Sequence, residues 1–168
     1  MKNTAKRIAL LGVLTSLAIV LSYLESLLPP IAAGLPGIKM GLPNIVIIFT
    51  LYRLGTREAI AVSAVRIICV ALLFGSIVTL AYSIAGAALS LALMAILKRF
   101  EIFSTVGVSV SGGVCHNIGQ IAVAVLLMER AEIALYLPVL LISGTVAGLI
   151  IGLAGHYLLR ALKDLKIQ

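Results

Sequence analysis

The stretch SVSGGVCHNIGQ, residues 109–120, sets an imidazole and two carboxamides, those of His116, Asn117 and Gln120, in a segment otherwise apolar enough to dissolve in lipid. The run IAVAVLL follows directly, which puts these groups at membrane depth. A polar side chain there is costly unless it finds a partner, so it faces a cavity or a neighbouring helix. His116 and Gln120 are four residues apart and share a helical face, with Asn117 one step round. The chemistry on offer is hydrogen bonding, either to a ligand or across a helix pair. Gly112, Gly113 and Gly119 stand beside them, and small residues let a helix or a ligand approach the backbone closely.

Three charged residues belong to the same question. Glu25 falls near the end of the first apolar run and Arg66 near the middle of the third. An intramembrane charge costs several kcal/mol, so each needs a partner or water. The two either pair as a structural lock or line an outward-facing cavity with Lys39, which would suit an anionic or phosphorylated ligand. Lys39 has a second reading as a cation reaching toward lipid headgroups.

The elements that must carry these groups follow from composition. The chain has 168 residues, 62% of them hydrophobic and 11% charged, with a mean hydropathy of +1.22. A soluble domain is nearer half apolar and a quarter charged, so an all-α integral membrane protein is expected, with membrane lipid as its solvent. About 20 apolar residues cross a bilayer. On that measure six helices are predicted, at 8–28, 43–53, 58–74, 77–97, 108–128 and 134–162, forming a single transmembrane domain. Pro29–Pro30 end the first, because proline lacks a donor and restricts the residue before it. Gly75–Ser76 allow a tight turn between the third and fourth. The second is short for a full crossing.

Charge sets the orientation. The net charge of +7 forms no basic face or RNA-binding motif, and nucleic acid is not an expected partner. With six crossings, Lys2, Lys6, Arg7, Arg53, Arg57, Lys98, Arg99, Arg160, Lys163 and Lys166 fall on the side of the termini, and only Lys39 and Arg130 on the other. The positive-inside rule then makes both termini cytoplasmic. The first apolar run is too long for a typical signal-peptide core, so a retained helix is expected there. His156, near the inner end of the sixth helix, reads as interfacial.

The connection PPIAAGLPGIKMGLPN, from Pro29 to Asn44, is rich in proline and glycine yet mostly apolar. Irregular backbone near lipid must be buried or line a cavity, so it reads as a lid or re-entrant segment over the bundle. Ala5 and Ala9, then Gly12 and Ser16, give small-residue spacing along the first helix, which permits close helix contact. Cys69 and Cys115 lie in apolar runs and read as reduced, buried thiols. No metal-ligand spacing, phosphate loop or nucleophile–histidine–acid set is present, so neither a metal site, a cofactor nor an enzyme is expected.

PGIKMGLPNI (Pro36–Ile45), LLFGS (Leu72–Ser76), SIAGAALS (Ser83–Ser90), VSVSGGVCHNIGQ (Val108–Gln120) and LPVLLISGTVAGLIIG (Leu137–Gly152) resemble the Gx transporter family, also labelled heptaprenyl diphosphate synthase component I. Such proteins resemble the S subunits of energy-coupling factor transporters. The resemblance implies a six-helix bundle in the bacterial cytoplasmic membrane that binds a small micronutrient or cofactor precursor. It further implies a transmembrane coupling subunit and two ATPase subunits as partners. Its site would lie under the outer helix ends, capped by the first loop, which nominates Lys39, Asn44, His116, Asn117 and Gln120. Ala5 and Ala9 match the small residues that contact the coupling subunit. The synthase label implies an alternative, a non-catalytic accessory in isoprenoid synthesis. The sequence lacks the aspartate-rich motifs that hold diphosphate through magnesium, its one aspartate being Asp164.

Overall fold

The computed structural model describes residues 2–27 and 41–163. Those residues are helical apart from short connections: α1 Lys2–Leu27, α2 Asn44–Arg53, α3 Thr56–Phe74, α4 Ile77–Arg99, α5 Thr105–Met128 and α6 Leu137–Ala161. A 3-10 turn, Ala131–Tyr136, precedes α6. Pro29 to Met40, with Lys39 and most of the expected lid, lie outside the described residues.

Six helices match the sequence expectation in number and order, with shifts at their ends. α1 begins at Lys2 and α5 at Thr105, ahead of the first strongly apolar residues, because a helix runs on through the polar interface. Ser104 caps α5, its hydroxyl accepting the Gly107 N–H at 3.1 Å. The expected sixth helix is divided. Pro138, in the first turn of α6, cannot donate, and the six residues before Leu137 coil more tightly. The turn between α3 and α4 is as tight as Gly75–Ser76 allow. Ser76 and Thr79 form a reciprocal capping box that starts α4.

Four stretches are long and apolar enough to cross a membrane: Thr4–Leu27, Ile77–Arg99, Thr105–Met128 and Ala131–Ala161. α3 is long enough but carries Arg57, Glu58 and Arg66. α2, at ten residues, covers about 15 Å, half a bilayer core. These four stretches make the chain a multi-pass membrane protein, and apolar side chains such as Leu72, Ile77 and Leu135 leave the bundle at least 80% exposed. Hydroxyls fold back onto their own helices, as in Thr50 Oγ1 to the Val46 carbonyl at 2.7 Å and Thr145 Oγ1 to Leu141 at 2.8 Å. Such back-bonding satisfies a hydroxyl where no water can.

The core centres on α2, whose residues Val46 to Leu51 are all buried. α2 packs against α1, α3 and α6, while α3 bridges α1 to α4 and α5 lies between α4 and α6. The α5–α6 contact is glycine on backbone. A Cβ on Gly148 would stand 2.6 Å from Val110 Cα, one on Gly152 2.8 Å from Val106 Cα, and one on Gly113 2.4 Å from the Gly144 carbonyl oxygen. Gly144, Gly148 and Gly152 repeat every four residues, so they form one stripe on α6.

The basic end of the bundle is stitched together by its own cations. Arg7 pairs with Glu58, joining α1 to α3. Arg53 donates to the Leu162 carbonyl at 2.8 Å and to Lys163 at 3.4 Å, at the end of α6. Lys98 donates to the Leu51 carbonyl at 2.5 Å and lies 5.3 Å from the centre of the Tyr52 ring. The starts of α1 and α3 and the ends of α2, α4 and α6 therefore share one end, as the charge pattern required.

Candidate functional site

Between this end and the α3–α4 turn lies a cavity of about 160 Å³, walled by all six helices. α1 contributes Ser22 and Glu25, α2 Asn44 and Ile48, and α3 Arg66, Ile67, Val70 and Phe74. α4 contributes Thr79, Ser83 and Met94, α5 His116, Asn117 and Gln120, and α6 Gly144, Gly148 and Ile151. Six of the seven residues singled out from the sequence thus meet in one space, from helices far apart in the chain. The seventh, Lys39, lies outside the described residues.

Each of the six is held differently. His116 lies flat against α4. Its nearest ring atom would be 2.7 Å from a Cβ on Gly86, so any side chain there would push the ring aside. Asn117 donates its Nδ2 to the Leu140 carbonyl of α6 at 2.6 Å and rests on Gly144. It is therefore a helix lock on one side. Its Oδ1 makes no hydrogen bond among the described residues and is an acceptor left for the cavity. The amides of Asn44 and Gln120 likewise make none among the described residues.

Glu25 accepts the N–H of Gly41, which fastens the residues entering α2 to α1. Gly41 has φ +76°, a left-handed conformation that favours glycine, and a Cβ there would press on Asn44 Nδ2 at 3.0 Å and Ile151 Cδ1 at 3.1 Å. Glu25 and Arg66 line the same cavity and interact electrostatically, without a direct ion pair between the two. The Arg66 Nε is nonetheless buried with no hydrogen-bond partner among the described residues. A guanidinium offers five donors in a fixed fork, and Arg66 brings its own to the cavity wall.

Hydroxyls and apolar side chains make up the rest of the wall, and an edge-to-face pair, Tyr23 on Phe74 at 5.7 Å, braces α1 against α3 beside the cavity. A concave space with apolar walls and a few convergent polar groups is the ordinary form of a small-molecule site. No group of three or more metal-ligating side chains occurs among the described residues.

A family model described as heptaprenyl diphosphate synthase component I matches residues 14–158. The chain belongs to this family. The match bears out the resemblance read from the Pro36–Ile45 and Val108–Gln120 segments, and it spans every residue that lines the cavity. No curated protein and no solved structure matches the chain. The family is described as one component of a synthase, which points to a protein that works with others.

Sequence reasoning missed two parts of the site. The hydroxyls of Ser22, Thr79 and Ser83 line it but sit in unremarkable contexts. The glycine stripe on α6 was legible, since its four-residue spacing is the signal used for α1. The α1 stripe faces the other way. Ala5, Ala9, Gly12 and Ser16 are exposed, and no atom of the described residues lies within 4 Å of a Cβ placed on Gly12.

Proposed function

We propose that this chain is the membrane-embedded substrate-binding subunit of an energy-coupling factor type uptake transporter, taking up a small micronutrient or cofactor precursor. The observation that carries this reading is the cavity. It sits inside a bundle of membrane-crossing helices and is lined by polar groups, Arg66, Asn44 and Gln120, whose hydrogen bonds the described residues do not use. Polar groups at membrane depth are costly when unpartnered, so a ligand is the natural partner. In this reading the six helices form one transmembrane bundle, both termini are cytoplasmic, and the cavity opens outward. The chain is not an enzyme, and its residues bind rather than react.

The exposed small-residue face of α1, with Ala5 and Ala9, docks a transmembrane coupling subunit, which in turn carries two ATPases. Close packing of small residues is how helices associate in lipid, where no hydrophobic drive exists between them. The test is uptake and binding together. Purified protein should hold a saturable small molecule by native mass spectrometry, and Gln120→Ala should remove it without lowering thermal stability. Ala9→Trp should abolish capture of a coupling module while leaving that binding intact. A protein that binds nothing across a vitamin and precursor panel is not a substrate-binding subunit.

The family description supports a second reading, a non-catalytic accessory in heptaprenyl diphosphate synthesis. It requires that the chain co-purify with a soluble, aspartate-rich synthase and that its removal change product length or yield. Unchanged prenyl transfer would end that reading.

A further inference from the structure

Resting on the substrate-binding reading, we infer that the ligand is a compact amide or lactam about one ring in size, giving its N–H to Asn117 and its carbonyl to Gln120. The orientation of Asn117 carries the argument. Its Nδ2 donates to the Leu140 carbonyl at 2.6 Å, and a carbonyl can only accept, so the nitrogen of this amide is fixed toward α6. Oδ1 is what remains, with no hydrogen bond among the described residues, and an acceptor alone selects a donor. Gln120 stands three residues further along α5, on the same side of the helix, and its whole amide is uncommitted among the described residues. An acceptor beside a group that can donate is the complement of an N–H beside a carbonyl. Carboxamides read the adjacent donor and acceptor of a base edge in the same way.

The rest of the cavity agrees with a neutral polar edge on a small apolar body. The hydroxyls of Ser22 and Thr79 are already spent, each donating to a backbone carbonyl at 2.8 Å. The charges that line the space among the described residues, Arg66 and Glu25, are opposite in sign and offset one another, so this wall calls for no ionised group on the ligand. Ile67, Val70, Phe74 and Ile151 supply apolar surface for the body that carries the edge. Size bounds that body. A cavity of roughly 150 Å³ takes one benzene, and this one has about 160 Å³, so a single six-membered ring or its equivalent fills it.

The experiment measures binding to the full chain in lipid nanodiscs for amides paired with ketones of the same shape: nicotinamide with 3-acetylpyridine, benzamide with acetophenone, and 2-piperidone with cyclohexanone. Each ketone keeps the ring and the carbonyl and has C–H where the amide has N–H. Nicotinate and benzyl alcohol stand for the acid and the hydroxyl. At least one amide should bind saturably, and at least about tenfold more tightly than its ketone, because the ketone leaves Asn117 Oδ1 unpaired. Asn117→Ala should bring that ratio to about one. Gln120→Ala should weaken amide and ketone alike, by about tenfold, and leave the ratio standing. A ratio read within one preparation does not depend on the folded fraction, so a partly unfolded variant cannot imitate either result. Equal binding of amide and ketone, an amide preference that survives Asn117→Ala, tighter binding of nicotinate or benzyl alcohol than of every amide, or no binding of any amide overturns the inference. The substrate-binding reading survives each of these outcomes as long as some small molecule binds saturably, and fails only when none of any class does.

Discussion

The two ends of this bundle use their polar side chains in opposite ways. At the basic end Arg7 is paired with Glu58, Arg53 holds the last carbonyls of α6, and Lys98 holds the Leu51 carbonyl. Between there and the α3–α4 turn, Arg66 Nε, the amides of Asn44 and Gln120, and Asn117 Oδ1 have no such partners among the described residues. The first set joins helices and its worth is structural. The second set is maintained against a cost in free energy, which stability alone does not explain. Charge and polarity by themselves do not separate the two sets; partners do.

That contrast can be broken in stages. The largest effect should come from the apolar seam that holds the cavity's α5–α6 wall. Gly148→Val drives a methyl into Val110 and should cost about 3 kcal/mol or prevent folding, as overpacking does when backbone cannot move. Circular dichroism during thermal unfolding in detergent measures it. Next, Lys98→Met removes a charged donor and leaves the Leu51 carbonyl to find another partner, for a loss of about 2 kcal/mol. Ligand binding should not change, and a matching loss of affinity would show that the two ends are not independent.

Within the cavity itself the contrast sharpens between neighbours. Asn117→Ala breaks the bond to Leu140 and should cost about 1 kcal/mol, the scale of interhelical hydrogen bonds in membranes. Gln120→Ala, one turn away, should leave stability within about 0.5 kcal/mol while ligand affinity falls at least about tenfold. If both variants lose stability equally, the whole cluster is a helix lock. The smallest effect belongs to Arg7→Ala. The Arg7 side chain is 56% exposed, and such ion pairs contribute about 0–1 kcal/mol, screened further by salt.

Much of this arrangement was legible in the residues. Hydrophobic run lengths gave six helices in the right order, and Gly75–Ser76 marked the α3–α4 turn. The tally of cations put the starts of α1 and α3 with the ends of α2, α4 and α6 before any contact between them was known. The cost of polar groups in lipid picked out Glu25, Arg66, His116, Asn117 and Gln120. Local reading failed where geometry between helices decides the outcome. It left the His116–Asn117–Gln120 cluster balanced between ligand and lock, whereas the fold gives each member its own part. His116 packs on Gly86, Asn117 locks α6 with its amide nitrogen, and Gln120 is left to the cavity.

The sequence by itself determined that this is a helical membrane protein, which way its charges bias it, and which few side chains are too costly to be idle in lipid. Those conclusions depend on transfer free energies, which belong to residues and run lengths. Only the tertiary structure decided that residues from α1, α2, α3 and α5 meet in one cavity, and that α6 rather than α1 uses its small-residue stripe inside the bundle. Those depend on which helix lies beside which. In lipid that choice rests on close backbone packing and on hydrogen bonds between segments distant in the chain, and neither is encoded in any one segment alone.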